Sequence, residues 1–328
     1  MGRYRLLTRL GTGGMAEIFL AAAGELPGYR TLVVLKRILP RFAHERPFVR
    51  MFLDECRIAA RLHHPNVVRV LEIGRDGDQY FLAMELVKGK SLSALLRRVI
   101  NRNRPLPPTL AAFVGAQAAS GLGYVHSFSD SHCRAQKIVH RDVSPGNVLI
   151  SFEAVVKVID FGIAHALGRR THTDPGQIKG KLPYMSPEQA LESPIDARSD
   201  IFSLGATLWE ALVGRPLFYR ANRLATWRAL MDEPIRRPSE LVSVPPALEA
   251  IVMRALERNP ALRFQAAQDM RRALEHFVFQ QAGFSPQQVA NYMKLMFADD
   301  VQQWRRAAGT AAELRRETHR AQTPRGLR

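Results

Sequence analysis

The chain has 328 residues, which is enough for one large two-lobed domain or for two domains of ordinary size. Its hydrophobic fraction of 46% allows a sizeable core, and its two cysteines are too few for a disulfide framework or a cysteine-rich metal cluster. The formal net charge of +17 at pH 7 leaves two explanations open, a compositional bias towards arginine or a surface for an acidic or nucleic-acid partner, because net charge bears on partners and not on the fold.

No membrane segment is predicted. Met1-Gly2-Arg3-Tyr4 is not followed by an apolar stretch of signal-peptide length. The uncharged stretch Pro105–Ser129 is interrupted by prolines and glycines, which predicts a buried helix rather than a membrane span. We therefore expect a cytoplasmic protein, since both thiols would stay reduced in that compartment.

Two short strands around a glycine-rich loop are predicted first. Tyr4–Leu10 and Glu17–Ala22 flank Gly11-Thr12-Gly13-Gly14-Met15-Ala16, where glycines let backbone N–H groups approach phosphate oxygens. A dinucleotide-binding fingerprint would need a helix after the glycines, but Ile18-Phe19-Leu20 continues as a strand, and the Lys-Ser/Thr of a Walker A loop is absent. The pattern therefore favours a strand–loop–strand unit whose glycine-rich loop covers the phosphates of a nucleotide.

A charged pair is predicted between the third strand and the helix that follows it. Thr31–Ile38 carries Lys36 among apolar residues, which is costly unless the charge has a partner. The helix predicted at Pro47–Leu62 offers Asp54 and Glu55, and Glu55 adjoins its apolar face. Glu55 is therefore the predicted partner and Asp54 a solvated charge. The alternative is a lysine that reaches solvent from an edge strand.

A hairpin and a hinge are predicted next. Val67–Ile73 and Gln79–Glu85 form the hairpin, and its second strand runs into a glycine-containing segment of the kind that a hinge between two lobes requires. On this hypothesis, backbone groups of Glu85 and Val87 face the edge of an adenine and Met84 closes the pocket behind it. The alternative for Met84 is an ordinary core position.

The strongest chemical signal is Val139–Asn147, followed beyond an apolar run by Asp160-Phe161-Gly162. Transfer of a phosphoryl group needs a carboxylate beside the incoming hydroxyl and oxygen ligands for the metal ions that screen the triphosphate. Asp142 can supply the first, and Asn147 with Asp160 the second. Other predicted elements are helices Ser91–Ile100 and Pro108–His126, strands Asn147–Ile150 and Val155–Ile159, and helices after Asp200.

These two motifs match the patterns H-R-D-x-x-x-x-N and D-F-G, and over about Tyr4–Val278 the chain resembles the protein-kinase family, most closely its bacterial Ser/Thr branch. The resemblance implies an α+β, two-lobed protein-kinase-like fold, with an antiparallel sheet and one major helix in the N-lobe and a mainly helical C-lobe. It places the kinase domain at 1–280, with the N-lobe at about 1–85 and the C-lobe at about 89–280. It also implies ATP and Mg²⁺.

The resemblance implies roles for individual residues. Asp142 would be the catalytic base, Lys36 paired with Glu55 would hold the α- and β-phosphates, and Asn147 and Asp160 would bind Mg²⁺. The implied nucleotide-binding positions are Gly11, Thr12, Gly13, Gly14, Ile18, Lys36, Met84, Glu85 and Val87.

Four structural and two regulatory residues are implied as well. Asp200 would hold the backbone of the catalytic loop, and Glu188 would pair with Arg263. Arg141, directly before the catalytic Asp, implies activation by a phosphate on the loop that carries Thr171 and Thr173.

The chain departs from the family pattern at three positions. Ala16 replaces the third loop glycine. Ser144 stands where Ser/Thr kinases usually carry a lysine, and Lys181 stands where they usually carry a threonine. We hypothesise a swap, in which Lys181 supplies the positive charge near the γ-phosphate and Ser144 supplies the hydroxyl; the alternative is that Lys181 lines the substrate groove.

Residues 281–328 extend beyond the resemblance. Pro286–Phe297 has apolar residues at helical spacing and is predicted to form one more helix. Arg305–Arg328 has a net charge of +5 and is predicted to be a flexible basic tail, with docking to an acidic partner as the alternative.

The sequence predicts an active Ser/Thr protein kinase in bacterial signalling, acting on protein substrates and phosphorylating its own activation loop through self-association. A pseudokinase scaffold and a small-molecule phosphotransferase are the alternatives. Nucleic acid is not an expected partner, because neither a recognition helix nor an aromatic platform is recognisable.

Overall fold

The computed structural model describes residues 1–24, 31–102, 106–129, 136–160 and 182–304, which belong to two units. The first unit holds Met1–Ala60, Arg69–Leu86 and 294–304, and the second holds Arg61–Val68 and Val87–Met293. No helix in the described ranges combines the length and apolar character that a membrane crossing requires.

The first unit is built on a five-stranded antiparallel sheet with the strand order β1-β2-β3-β5-β4. In β3, the buried Val33 and Leu35 alternate with Lys36, so that they point to opposite faces. Val33 and Leu35 join Tyr4, Ala21, Phe81 and Ala83 in a buried cluster on one face, and Lys36 reaches α1 from the other. The elements are β1 Tyr4–Thr12, β2 Ala16–Ala23, β3 Thr31–Ile38, α1 Arg46–Ala59, β4 Val70–Asp76 and β5 Gln79–Glu85.

The second unit begins with a strand that the sequence did not predict. Gly89–Ser91 forms β6, which pairs with β7 (Val148–Ser151), and β7 pairs with β8 (Val156–Val158). A Cβ atom at Gly89 would overlap the carbonyl oxygen of Ile150, so glycine is required for this close pairing. The glycine-containing segment predicted as a hinge therefore includes a short strand.

Helices make up most of the second unit. The longest, α3, buries residues on all of its sides, as expected for a central helix. The helix α5 begins at an Asp196 cap and ends at Gly214, whose φ of +86° suits glycine, and it carries Asp200 in its first turn. The helices are α2 Leu92–Asn101, α3 Pro108–His126, α4 Pro187–Ala190, α5 Ala197–Val213, α6 Arg223–Met231, α7 Pro246–Ala255, α8 Ala267–Phe279 and α9 Pro286–Met296.

The predicted fold class is confirmed: the first unit has an antiparallel sheet with one major helix, and the second is mainly helical. The strands β3 and β5 and the helix α3 have the predicted bounds. The strand β4 begins at Val70 rather than Val67, because Val67 and Val68 instead pair with Val158 in the second unit. The helix α1 ends at Ala59, before the predicted Leu62.

Candidate active site

The glycine-rich loop joins β1 to β2 and leaves open space beside Gly11. The N–H of Gly13 donates to the carbonyl oxygen of Ala16 over 2.8 Å, which closes the loop. Gly11 is opposite Ile18 in the strand register, and Ile18 is opposite Lys36, so these three nucleotide-binding candidates form one row across the sheet. A Cβ atom at Gly11 would find no atom within 4 Å, so backbone and phosphate could approach each other there.

Lys36 and Glu55 are brought together within the first unit. Lys36 Nζ lies 3.0 Å from Glu55 Oε1, and each side chain is 16% exposed. The helix α1 is fixed by its buried face, which includes Phe52 and Cys56. Burial and the neighbouring charge of Glu55 raise the pKa of the Cys56 thiol to about 12, so this cysteine is not a nucleophile.

The three predicted hinge residues, Met84, Glu85 and Val87, differ in what they can offer to an adenine. Met84 is buried and lies two residues from Leu82, which is opposite Lys36, so Met84 shares the sheet face of the lysine. The N–H of Glu85 donates to the carbonyl oxygen of Arg69 and is therefore not available to a base. The half-buried Val87 makes no backbone hydrogen bond to any other described residue.

The catalytic loop is held by the carboxylate of Asp200, which is fully buried. Asp200 accepts hydrogen bonds from the backbone N–H groups of His140 (2.7 Å) and Arg141 (2.8 Å) and lies 2.7 Å from His126 Nε2. Burial alone would raise the pKa of Asp200, but the hydrogen bond and charge of His126 and the contacts with His140 outweigh it, and the pKa is lowered. The loop is therefore anchored on an ionised group.

His140 links Asp142 to the strand that leads to Asp160. Its Nδ1 lies 3.2 Å from the backbone N–H of Asp142, and its Nε2 lies 3.0 Å from the carbonyl oxygen of Ile159. Because Nδ1 faces a donor and Nε2 faces an acceptor, we assign the neutral tautomer with the proton on Nε2. The imidazole thus joins the backbone at the candidate base Asp142 to the backbone just before the candidate metal ligand Asp160.

Arg141, next to the candidate base, and the candidate metal ligand Asp160 have left-handed backbone conformations. Arg141 has φ of +68° and Asp160 has φ of +56°. Such conformations cost about 1 kcal/mol or more for residues other than glycine and cluster at functional sites. Two hydrogen bonds to residues distant in sequence maintain this conformation at Arg141. Its N–H donates to Asp200, and its carbonyl oxygen accepts from Gln189 Nε2 over 3.0 Å.

Asn147 orients the carboxylate of Asp142. Its Nδ2 donates to Asp142 Oδ2 and to the carbonyl oxygen of Asp142, both over 2.8 Å, while Asp142 is only 9% exposed. No donor among the described residues contacts Asn147 Oδ1. This free amide oxygen and the half-buried carboxylate of Asp160 are hard ligands of the type that Mg²⁺ prefers.

No cluster of three or more His, Cys, Asp or Glu side chains suited to a metal ion occurs in the part of the chain that the structure describes. Mg²⁺ is usually held by one or two protein oxygens together with phosphate oxygens and water.

Glu188 and Arg263 form a largely buried ion pair within the second unit. Arg263 is 0% exposed and binds both carboxylate oxygens of Glu188, over 2.7 and 2.9 Å. Its remaining donors reach three backbone carbonyl oxygens, so all five N–H groups are used. Although burial alone would raise the pKa of Glu188, the hydrogen bonds from Arg263 and Ser199 lower it.

Sequence reasoning missed three residues that support the catalytic loop. His126 contacts Asp200 from 74 residues away, and no local pattern indicates this. Gln189 bonds to Arg141, and with Ser186 it forms a capping box at the start of α4. The spacing S-x-x-Q in Ser186–Gln189 is a known signal for such a box and could have been recognised.

The remaining candidates have less structural support. Ser144 is half-buried, and its hydroxyl makes no hydrogen bond to another described residue. Lys181, Thr171 and Thr173 lie outside the described residues, as do Phe161 and Gly162.

Comparisons with known proteins agree on one family. A family model described as the protein kinase domain matches residues 4–279. The tyrosine-protein kinase MasK of Myxococcus xanthus is 42% identical over 84% of this chain and 43% of its own length. The serine/threonine-protein kinase PrkC of Bacillus subtilis is 35% identical over 82% of this chain and 39% of its own length. The chain thus spans about two fifths of the length of the curated relatives that it matches.

A solved structure supports the same fold. The PknI kinase domain of Mycobacterium tuberculosis superimposes with a TM-score of 0.62 at 25% sequence identity, covering 84% of this chain and 96% of that one. The fold and the sequence relatives therefore lead to the same family.

Proposed function

Because the chain belongs to the protein kinase domain family, we propose that it transfers the γ-phosphoryl group of ATP to hydroxyl groups of proteins. The observation that carries this proposal is the position of Asp142. Its carboxylate is held by Asn147 over 2.8 Å, on a loop whose backbone is fixed by the buried Asp200. A carboxylate fixed in this way can accept the proton of an incoming hydroxyl.

Lys36 and Glu55 are assigned to the nucleotide. Lys36 donates from Nζ to the α- and β-phosphates, and Glu55 orients it from 3.0 Å. The row of Gly11, Ile18 and Lys36 across the sheet supports this assignment. Together with Thr12, Gly13 and Gly14, Gly11 and Lys36 bind the phosphates. Ile18 and Met84 pack against the base, and the carbonyl oxygen of Glu85 and a backbone group of Val87 face its edge.

Asn147 and Asp160 are the proposed Mg²⁺ ligands, because each presents a hard oxygen. The metal, when bound, neutralises the negative charge of the phosphate oxygens. The protein contributes the geometry: Asn147 Nδ2 orients Asp142, and the same side chain leaves Oδ1 for the metal.

Regulation by phosphorylation of Thr171 or Thr173 is also part of the proposal. The side chain of Arg141 is half-buried, and burial lowers its pKa. Its guanidinium interacts with the charge of Asp200 but makes no hydrogen bond to another described residue, so a phosphate would add a charge-assisted hydrogen bond. We expect this phosphorylation to occur between two copies of the chain.

The exchange of Ser144 and Lys181 is proposed on sequence grounds. Lys181→Ala should reduce kcat by about 30-fold with little change in the KM for ATP, because the contact of this lysine would strengthen only in the transition state. The control is Lys179→Ala, which removes a neighbouring lysine. An unchanged kcat in Lys181→Ala would exclude the exchange.

The acceptor residue is proposed to be Ser or Thr. PrkC, at 35% identity, carries the name of a serine/threonine kinase and supports this choice. Tyrosine is the second candidate, because the 42% identical MasK is named a tyrosine-protein kinase and Ser144 stands here in place of the lysine typical of Ser/Thr kinases.

The proposed domain bounds are 1–280 for the kinase domain and 281–328 for the helical and basic extension, and the family match over 4–279 supports them. The cytoplasmic location is proposed because ATP and reduced cysteines are found there.

The experiment is incubation of the purified chain with Mg²⁺ and γ-labelled ATP, with myelin basic protein as a generic acceptor, beside Asp142→Asn. Mass spectrometry then maps phosphate on Ser, Thr and Tyr. Phosphothreonine at Thr171 or Thr173 that is found in the unaltered chain and not in Asp142→Asn supports the proposal. Phosphotyrosine alone favours the second acceptor, and the absence of any transfer favours a pseudokinase scaffold. Transfer to a small molecule but not to protein indicates a small-molecule phosphotransferase.

A further inference from the structure

A recess of about 660 Å³ lies within the second unit, between the C-terminal part of α5 with the loop that follows it and the segment after α6. Its lining includes none of the residues assigned to ATP, Mg²⁺ or phosphoryl transfer. Pro216, Leu217 and Pro234 contribute apolar surface, and Tyr219 is 61% exposed. The charged lining residues are three arginines and a single carboxylate: Arg215, Arg220, Arg236 and Glu233.

Two side chains tie the walls of this recess together. Trp209 of α5 donates from Nε1 to the carbonyl oxygen of Arg236 over 2.8 Å. Arg220 Nη2 pairs with Glu233 Oε2 over 2.6 Å, and its Nη1 donates to two backbone carbonyl oxygens. The recess is therefore formed before any ligand binds, and a preformed site avoids the cost of ordering on binding.

Most of the polar side-chain groups that remain for a ligand are hydrogen-bond donors. Arg215 and Arg236 are exposed, and their guanidinium groups make no hydrogen bond or ion pair with any described residue. The charge of Glu233 is neutralised by Arg220, and the indole N–H of Trp209 is already bonded. The recess therefore suits a ligand that brings acceptors and negative charge together with a planar ring for Tyr219.

We propose that this recess binds a guanine nucleotide, as a second nucleotide site separate from the proposed ATP site. The base would stack on Tyr219, which is exposed enough to offer its ring. Guanidinium groups match both the O6 and N7 acceptors of guanine and the oxygens of phosphate, so Arg215 and Arg236 can hold the base edge and the phosphates. Adenine would turn its amino group towards a cation at the same edge and is disfavoured. The volume of the recess suits a single nucleotide.

Other occupants fit less well. Single-stranded nucleic acid requires aromatic platforms for successive bases, whereas Tyr219 is the one exposed aromatic residue in this lining and Trp209 is only 2% exposed. A carboxylate-rich peptide would satisfy the arginines but would leave the ring of Tyr219 without a planar partner. The segment 305–328 of this chain is itself basic and would be repelled.

The test uses MANT-GDP, a fluorescent guanine nucleotide, and the full chain, with anisotropy measured in about 150 mM salt and excess EDTA. The salt screens long-range attraction, and EDTA removes the Mg²⁺ that the proposed active site needs for a nucleotide. The variant R215A/R236A should bind at least about tenfold more weakly than the unaltered chain. The control R223A/R228A removes two exposed arginines from α6 and should bind within about twofold.

Three further measurements locate and define the site. Lys36→Met alters the proposed ATP site and should bind MANT-GDP within about twofold of the unaltered chain, because the two sites share no residue. Tyr219→Ser removes the stacking ring and should bind at least about fivefold more weakly. In competition, GDP should displace the probe at least about fivefold better than ADP and at least about tenfold better than guanosine, which has no phosphate.

Four results would overturn the proposal. The first is the absence of saturable binding to the unaltered chain. The second is an equal loss of affinity in R215A/R236A and R223A/R228A, which indicates attraction by total charge. The third is a loss of binding in Lys36→Met but not in R215A/R236A, which places the nucleotide in the proposed active site. The fourth is displacement by ADP or by a polyglutamate peptide that equals displacement by GDP, which shows that guanine is not recognised.

Folding of the variants is checked by thermal unfolding. Unfolding of R215A/R236A at the temperature of the unaltered chain shows that this variant folds, as expected for two exposed side chains without partners among the described residues. Tyr219→Ser tests the same recess without removing a charge, so unchanged binding in Tyr219→Ser would also contradict the proposed stacking.

Discussion

Two charged pairs, one in each unit, differ in how firmly the fold holds them. Lys36 and Glu55 in the first unit meet over 3.0 Å, with 16% of each side chain exposed. Arg263 in the second unit is fully buried, and all five of its N–H groups are bonded. The first pair joins β3 to α1, whereas Arg263 of the second pair is also held by three backbone carbonyl oxygens. We propose that charge serves chemistry in the first unit, whereas in the second it joins α4 to the start of α5 and to the segment before Arg263.

Replacement of Arg263 should have the largest effect on stability. Arg263→Leu leaves Glu188, whose side chain is 13% exposed, without its partner, and breaking a largely buried pair in this way costs about 3–5 kcal/mol. The free energy of unfolding is measured by urea denaturation. Arg272→Leu is the matched control, because its ion pair with Asp269 is exposed and should contribute less than about 1 kcal/mol.

If Arg263→Leu does not fold, Glu188→Gln keeps a hydrogen-bonding partner for the guanidinium and gives a smaller loss. Equal stability of the Arg263 and Arg272 variants would contradict the distinction between the two kinds of pair.

Replacement of Lys36 should affect the reaction rather than stability. Lys36→Met removes the proposed phosphate ligand and should lower kcat/KM by about 100-fold, which corresponds to about 2.7 kcal/mol of transition-state stabilisation. The free energy of unfolding should fall by less than in Arg263→Leu, because both side chains of this pair are 16% exposed whereas Arg263 is fully buried. Lys294→Met, on α9, serves as the control with unchanged kinetics. A variant that loses stability and activity together would show that this pair, too, is architectural.

Gln189 should have an effect of about 1 kcal/mol, the contribution of one hydrogen bond. Gln189→Ala removes the bond to the carbonyl oxygen of Arg141 and loosens the strained backbone next to Asp142. We expect kcat to fall about fivefold while the KM for ATP is retained. Gln189→Glu keeps the capping acceptor for Ser186 but not the donor to Arg141, so it separates the two roles. Full activity in both variants would mean that this bond does not position the loop.

The smallest expected effect at neutral pH is the one that comes from the titration of Asp200 and Glu188, which becomes visible only in acid. Since the folded-state pKa values of Asp200 and Glu188 are lowered, both groups bind fewer protons in the folded than in the unfolded chain. Their stabilisation is complete above the ordinary carboxyl range of about 4 and is lost as pH falls through the lowered values. The unfolding temperature, measured from neutral to acidic pH, should fall less steeply for Glu188→Gln than for the unaltered chain. Identical slopes would contradict the assigned role of Glu188.

Much of the fold follows from local patterns. Short apolar runs predict β3 and β5, and the long uncharged segment predicts α3, all with the observed bounds. The position of Glu55 beside the apolar face of α1 is sufficient to predict its contact with Lys36. These features depend on residues that are close in sequence or on the period of a single element, and such signals survive in a sequence without its structure.

The remaining features depend on contacts between distant segments. The three-residue strand β6 exists because Gly89 packs against β7, and Val67 leaves the predicted strand because it pairs with Val158. The contact of His126 with Asp200 spans 74 residues and has no local signature. Long-range pairing overrides local propensity in the two strands, and the side-chain contact depends on how two helices pack.

The central claim is that Asp142 acts in phosphoryl transfer and not in nucleotide binding or folding. It is tested most directly by measuring, in one preparation of Asp142→Asn and one of the unaltered chain, the rate of transfer to myelin basic protein and the Kd for Mg·ATP. Loss of a general base should lower the rate by about 10²–10⁴-fold while the Kd changes by less than about threefold. Equal rates in the two proteins, or a loss of activity that is explained by loss of ATP binding, would contradict the claim.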